Sequence, residues 1–211
     1  MKLVGIIVVI LIGAGLLLVR EPSLETKLAR IEPDLNAKLK GRQVQIDSAE
    51  LVDLTYNFNT GLRIIDVRDE AEYNLFHIMD AQHATLAEFR DSEWVKRLPE
   101  ETVFVLVSND EKRATEAWKL LSAQGVLNLY ILEGGINYWL DLYDPKTETL
   151  SQEKSPAPRP KGDDTLRHKF TAALGSRHPA ADPDPQEIPE REYTKKVKPI
   201  GRAPKKSGGC G

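Results

Sequence analysis

The chain of 211 residues has a single cysteine, Cys210. One thiol cannot form an internal disulfide, a Cys-pair redox centre or a thiolate-rich zinc or iron–sulfur site. An excess of one charge sign is missing as well, with 29 Lys and Arg against 32 Asp and Glu and a net charge of −3. No internal repeat is visible. Proline is sparse through the first two thirds and dense afterwards, nine of the 13 lying after residue 150. What remains is ordinary for a globular protein: 41% hydrophobic and 29% charged, enough to bury a sizeable core. The length fits one domain with extensions or at most two small ones. Collagenous, wholly disordered and polytopic membrane chains are excluded.

The small net charge averages unlike segments. Residues 1–40 carry +2, residues 41–150 carry −10 and residues 151–211 carry +5. An acidic middle would not steer nucleic acid or small anions toward itself, so no nucleic-acid partner is expected. The last 21 residues hold seven Lys or Arg against Glu192 alone, a tail suited to anionic lipid or an acidic protein.

From Leu3 to Val19 seventeen apolar residues run without a charge, between Lys2 and Arg20. As a helix they rise about 25 Å, the lower limit for crossing a hydrocarbon core of roughly 30 Å. A cleavable signal has a shorter apolar region of about 7 to 15 residues and a small-x-small cleavage site. Here the run ends Leu17-Leu18-Val19-Arg20, so residues 1–20 read as an uncleaved transmembrane anchor rather than a removed signal or a buried soluble helix. The basic residues after the run favour a cytoplasmic body. The very short amino-terminal flank is instead the layout of a signal anchor that exports the chain behind it, and we read the body as extracytoplasmic. The protein is thus expected in the membrane with a single pass.

Residues 21–43 place Leu24, Leu28, Ile31 and Leu35 at helical spacing and read as a juxtamembrane stalk, with Pro33 breaking or kinking it. From residue 44 to about 145 short apolar runs alternate with helical patterns. Strands are predicted at 44–46, 62–65, 83–84, 102–107 and 129–132. Asp47 with Glu50 resembles a capping box, and further helices are expected over 69–76, 86–98, 114–124 and 136–142. This alternation implies an α/β domain of three layers, a mostly parallel sheet of about five strands covered on both faces. Its ligand site is expected in loops at the strands' carboxyl ends. Residues 146–211 are Pro-rich and basic and read as a largely disordered tail, with a short helix over 164–174.

Three pieces of the middle segment occur in a telling order. Asp66-Val67-Arg68 precedes Glu72 and His77, an apolar strand runs into the loop Ser108 to Arg113, and Gly134-Gly135 is followed by Trp139. Together they resemble the rhodanese (thiosulfate sulfurtransferase-like) domain. The resemblance implies a loop that begins with a catalytic Cys, holds a Gly near its middle and ends in Arg. Such a Cys carries sulfur as a persulfide, its thiolate held by successive backbone N–H groups and a basic side chain.

The loop here reads Ser108, Asn109, Asp110, Glu111, Lys112, Arg113. Arg113 matches the family's basic residue, but Ser108 stands where the Cys belongs and Glu111 where Gly is usual. A hydroxyl forms no persulfide and is no nucleophile without a base; no Gly-x-Ser-x-Gly elbow or nearby His serves Ser108. Asp110 and Glu111 are expected to repel an incoming anion, and Lys112 and Arg113 to balance them. Asp66, Arg68, Glu72, His77, Gly134, Gly135 and Trp139 read as structural, with Arg68 paired to Glu70 or Glu72, His77 closing a helix end or bonded to the backbone, and Trp94, Trp118 and Trp139 in packing. No cofactor or metal is implied.

The expectation is a membrane-anchored, catalytically inactive rhodanese-like domain that binds or scaffolds an unknown protein partner. Two alternatives remain. Cys210, on a basic arm about 65 residues from the domain, can act as a sulfur carrier or substitute nucleophile. Otherwise the chain tethers an envelope or respiratory assembly.

Overall fold

A computed structural model describes residues 21–56, 61–143, 163–168 and 192–198. Helix α1 (Leu24–Lys40) is followed by β1 (Gln45–Ile46), α2 (Ser48–Tyr56), β2 (Leu62–Asp66), α3 (Glu70–Leu75) and β3 (Gln82–His83). A 3₁₀ turn (Glu88–Arg90), α4 (Ser92–Val95), β4 (Val103–Val107), α5 (Lys112–Ala123), β5 (Leu129–Leu132) and α6 (Gly135–Tyr143) complete the order. The five strands are all parallel in the order β1-β5-β4-β2-β3. Every residue of β4 is buried, as its unbroken apolar run requires for a central strand covered on both faces. One core cluster gathers Ile65, Phe104, Leu106, Trp118 and Leu121, and the opposite one Ile64, Val105, Val107, Leu132 and Trp139. Adjacent strand residues alternate between them because side chains along a strand point to opposite faces.

Several expectations need correction. Residues 24–40 are no free-standing stalk: α1 lies along α5, with Leu35 buried and Leu24, Leu28, Ile31 and Leu39 against the core. Its apolar stripe is thereby covered, and the folded domain starts some twenty residues before the expected boundary at 44. Pro33 does not break this helix, which runs through it with the ring on the exposed side. The 86–98 segment forms two short turns rather than one helix. At α2 the capping box is half made: Asp47 accepts from the Ala49 amide at 2.8 Å, but the Glu50 carboxylate is engaged elsewhere. The apolar run 3–19 and Cys210 lie outside the described residues, among which no helix is long and apolar enough to cross a membrane.

Glu50 is turned to the tail. Its Oε1 accepts from the backbone amides of Lys196 and Val197, both at 2.7 Å, and Val197 is buried in the second core cluster. Asp53 accepts from Lys195 Nζ at 2.9 Å and from the Tyr193 hydroxyl at 2.8 Å, and these bonds, opposed by burial, hold its carboxyl below the usual range. So the tail, expected to be largely disordered, has at least one segment laid on the domain. The segment is held by the two backbone amides on Glu50 and by burial of Val197, with the Asp53–Lys195 pair at its exposed edge.

The turn after β2 is held by a fully buried ion pair. Arg68 Nη2 meets Asp66 Oδ2 at 2.6 Å and its Nε reaches Asp66 Oδ1 at 3.0 Å, with both side chains at most 1% exposed. The guanidinium also donates to the Phe76 carbonyl and, at 3.4 Å, to Asn109 Oδ1. The expected partners, Glu70 and Glu72, are not used, because a guanidinium inside the domain needs a carboxylate buried beside it. Arg68→Ala strands the Asp66 carboxylate and is expected to lower the unfolding free energy by about 3–5 kcal/mol, read by urea titration; Arg68→Lys restores little of it, lacking the fork geometry.

Candidate functional site

The polar network of the domain gathers at the carboxyl end of β4. There Ser108, Asn109, Asp110 and Glu111 join β4 to α5, and all four are buried. Their backbone is held from below by the first turn of α6: the Ile136 amide donates to the Ser108 carbonyl at 2.9 Å and the Asn137 amide to the Asn109 carbonyl at 3.0 Å. Gly135 makes this approach possible. A Cβ there would stand 2.1 Å from the Asp110 carbonyl oxygen and 2.3 Å from that of Ser108, and its φ of +62° is left-handed. Gly134, at φ +69°, gives its amide to Glu111 Oε1 at 2.8 Å.

With the Ser108 and Asn109 carbonyls taken by α6, the Asp110 and Arg113 amides are met by a residue from the tail. Asp164 Oδ1 accepts from the Asp110 amide at 2.7 Å and Oδ2 from the Arg113 amide at 3.2 Å. The carboxylate thus sits on the loop and on the first turn of α5, where orphan N–H groups favour negative charge. Asp164 is buried and adopts φ +56°, a strained value for a residue other than glycine. Residues 163–168 are non-helical, so the predicted helix over 164–174 is absent from its described part.

Two asparagines hold the rest of this segment. Asn109 Nδ2 donates to the Asp164 carbonyl at 2.8 Å and to both Glu72 oxygens at 2.9 Å. Asn137 Nδ2 donates to the Thr165 carbonyl at 2.9 Å while its Oδ1 accepts from the Arg167 amide at 2.7 Å. Arg167 Nη1 then pairs with Asp110 Oδ1 at 2.6 Å. The other oxygen, Asp110 Oδ2, is buried with no hydrogen-bond partner among the described residues.

The loop's charges are not arranged as expected. Glu111 does not face the mouth; it is clamped by Arg42 through contacts of 2.6 and 2.8 Å. Arg42 also reaches Glu133 at 2.7 Å; burial works to lower its pKa, but the bonds to these two carboxylates outweigh it and raise it. Asp110 and Glu111 are balanced by Arg167 and Arg42, not by Lys112 and Arg113. Arg113 instead forks onto Asp69 at 2.7 and 3.0 Å on the surface. The Ser108 hydroxyl accepts from the Ala114 amide at 3.3 Å and is fully buried. His77 Nδ1 lies 2.9 Å from the Tyr73 carbonyl, and Trp139 is buried against Tyr143. Among the described residues no cluster of three or more His, Cys, Asp or Glu is placed to hold a metal.

Sequence reasoning missed Arg42, Asn137, Asp164 and Arg167. Arg42 follows a helix-ending glycine and Asp164 lies in a Pro-rich tail, so neither carries a periodic or motif signal. A cavity of about 1150 Å³ opens at the other end of the sheet, by the amino ends of β4 and β5, lined in part by Lys27, Phe104 and Leu127. It has no such network.

Comparison with known proteins gives a match of residues 49–142 to the family described as Rhodanese-like domain. The chain is 30% identical over 131 residues to the "tRNA uridine(34) hydroxylase" of Onion yellows phytoplasma (strain OY-M), covering 54% of this chain and 42% of that protein. It is 29% identical over 87 residues to "Thiosulfate sulfurtransferase GlpE" of Pseudomonas fluorescens, covering 41% of this chain and 78% of that one. A solved protein from Bacillus halodurans aligns with a TM-score of 0.43 at 25% identity, covering 52% of this chain and 80% of that one. The chain thus spans well under half the length of the hydroxylase.

The hydrogen bond from Arg113, opposed by burial, leaves the Asp69 carboxyl below its ordinary range. Such a pair stabilises the fold fully above the ordinary aspartate range and stops doing so as pH falls through the lowered value. In Arg113→Gln the Asp69 carboxyl, followed by NMR titration, is expected to move up toward the ordinary range; an unchanged titration would show that the pair does not hold it.

Proposed function

Residues 49–142 form a rhodanese-like domain, and from that premise we propose that the protein is a membrane-anchored binding module without sulfurtransferase activity of its own. One observation carries the reading: at the loop where the family's resemblance calls for a thiolate, the Ser108 hydroxyl is buried against the Ala114 amide and the Asp164 carboxylate takes the outward amides. A sulfur anion would have to displace a carboxylate and would then find no thiol to receive its sulfur. The apolar run 3–19 supports anchoring in a membrane. Part of the tail's positive charge is met by Asp53 and Asp110, which leaves its last residues for anionic lipid or an acidic partner. The tRNA substrate named for the hydroxylase relative is not carried over, since residues 41–150 hold a net −10.

A second reading rests on Cys210, the chain's one thiol, together with the likeness to a thiosulfate sulfurtransferase. On that reading the Cys210 thiolate attacks the outer sulfur of thiosulfate, the S–S bond of thiosulfate breaks and sulfite leaves, so mass spectrometry shows a gain of about 32 Da on Cys210, as a persulfide requires.

The full chain in detergent is expected to give no thiosulfate:cyanide turnover above the blank. Turnover that persists in Cys210→Ala would overturn the non-enzymatic reading, and turnover lost in that variant would favour the second one. Deleting residues 3–19 is expected to move the protein from the carbonate-resistant membrane pellet to the supernatant; retention in the pellet would count against the anchor.

A further inference from the structure

The contacts at the loop after β4 are those of a site that reads polypeptide. Asn137 pairs its amide with the backbone on either side of Leu166, donating to the Thr165 carbonyl at 2.9 Å and accepting from the Arg167 amide at 2.7 Å. Asn109 reads a third backbone group, the Asp164 carbonyl, at 2.8 Å. An inorganic oxyanion offers neither the N–H nor the alternation of donor and acceptor that a carboxamide matches. Two side chains are read as well, the Asp164 carboxylate by two loop amides and Arg167 by Asp110. Backbone contacts supply affinity and flanking side-chain contacts supply specificity, the division of labour found in peptide recognition.

The occupant in place does not exhaust the site. Asp110 is 1% exposed, yet among the described residues its Oδ2 has no partner, because Arg167 uses one nitrogen on one oxygen. A guanidinium presented squarely would engage both oxygens. Asp164 also holds a left-handed φ of +56° to reach the amides. The resident segment is therefore held by many contacts in a geometry that a better-placed peptide can improve.

Resting on the reading of this domain as a binding module, we propose that the loop site recognises a segment of the form Asp-x-x-Arg, that Asp164 to Arg167 are its occupant in cis, and that a separate protein bearing such a segment is its partner. The nineteen residues 144–162 join the domain to the occupant. A tethered ligand on a short linker acts at roughly millimolar effective concentration, so a free peptide with a dissociation constant of about 10 µM would appear roughly a hundredfold weaker until the cis segment leaves.

The test uses the full chain in detergent and a fluorescent peptide of residues 161–170 as the probe. Asp164→Ala/Arg167→Ala, which frees the site, is expected to bind the peptide saturably by anisotropy, and wild type roughly a hundredfold more weakly. Adding Asn137→Ala to the double variant abolishes binding, and a peptide with Asp164→Asn or Arg167→Ala loses at least about tenfold, the order of one charge-assisted contact. Equal concentrations of thiosulfate or sulfate do not compete. The proposal is overturned if the double variant, with a wild-type circular dichroism spectrum, binds no peptide, if a scrambled peptide binds equally, or if sulfate displaces the peptide at equal concentration. A concentration-dependent dimer by sedimentation that vanishes in the double variant would assign the site to a second copy and overturn the separate partner. Should the double variant not fold, hydrogen exchange in Asp164→Asn decides: faster exchange at the Asp110 and Arg113 amides is required. None of these readings depends on turnover, so their failure and that of the non-enzymatic assignment are told apart.

Discussion

The close approach of α6 to the loop after β4 governs the rest of the site. Because Gly135 has no side chain, the Ile136 and Asn137 amides reach the carbonyls of Ser108 and Asn109. That contact turns the loop's carbonyls inward and its free amides outward, which creates a site for negative charge whatever side chains the loop carries. A thiolate needs this environment, and so does a carboxylate. At the head of this loop the Ser108 hydroxyl is buried, and the Asp164 carboxylate takes the Asp110 and Arg113 amides.

Beneath the loop, the Asp66–Arg68 pair fixes the neighbouring turn. The guanidinium spans the carboxyl end of β2, the Phe76 carbonyl and Asn109, so the asparagine that reads the tail is itself oriented by a buried ion pair. Arg42 does the same on the other side, drawing Glu111 away from the mouth and onto the Gly134 amide. Each acidic residue expected to repel an anion is thus either withdrawn or neutralised. The local sign of the site is set by backbone amides and by Arg167, not by the domain's net −10.

The acidic domain and the basic tail form one electrostatic unit at two places. Glu50 and Asp53 receive residues 193–197, and the loop receives residues 164–167. The buried partners count for more than the exposed ones, since pairs in solvent are screened and contribute little. Glu50, with two backbone amides on one oxygen and Val197 buried beside it, is the stronger tie of the first group; the Asp53–Lys195 pair is its exposed rim.

The strands, their parallel arrangement and the loop's location were legible in the sequence, because burial on both faces of a sheet and on one face of a helix writes a pattern within ten residues. So were the missing thiol and the glycine pair. Less legible was α1, whose periodicity was visible while its destination was not: a stripe of Leu and Ile looks the same on a stalk and against a domain, and only α5 decides. The partners of Arg68, Glu72 and Glu111 were misjudged for a related reason, since proximity in sequence selects candidates and burial selects among them. Least legible was the tail. Proline density and low hydrophobicity are what a segment without its own core shows, and Asp164 meets the Asp110 amide across 54 positions through hydrogen bonds that leave no periodic trace. The amino-acid order thus determined the sheet, the loop and the absence of a thiol there. Tertiary structure alone decided what fills the loop, because backbone amides accept any suitably placed carboxylate and the chain holds many.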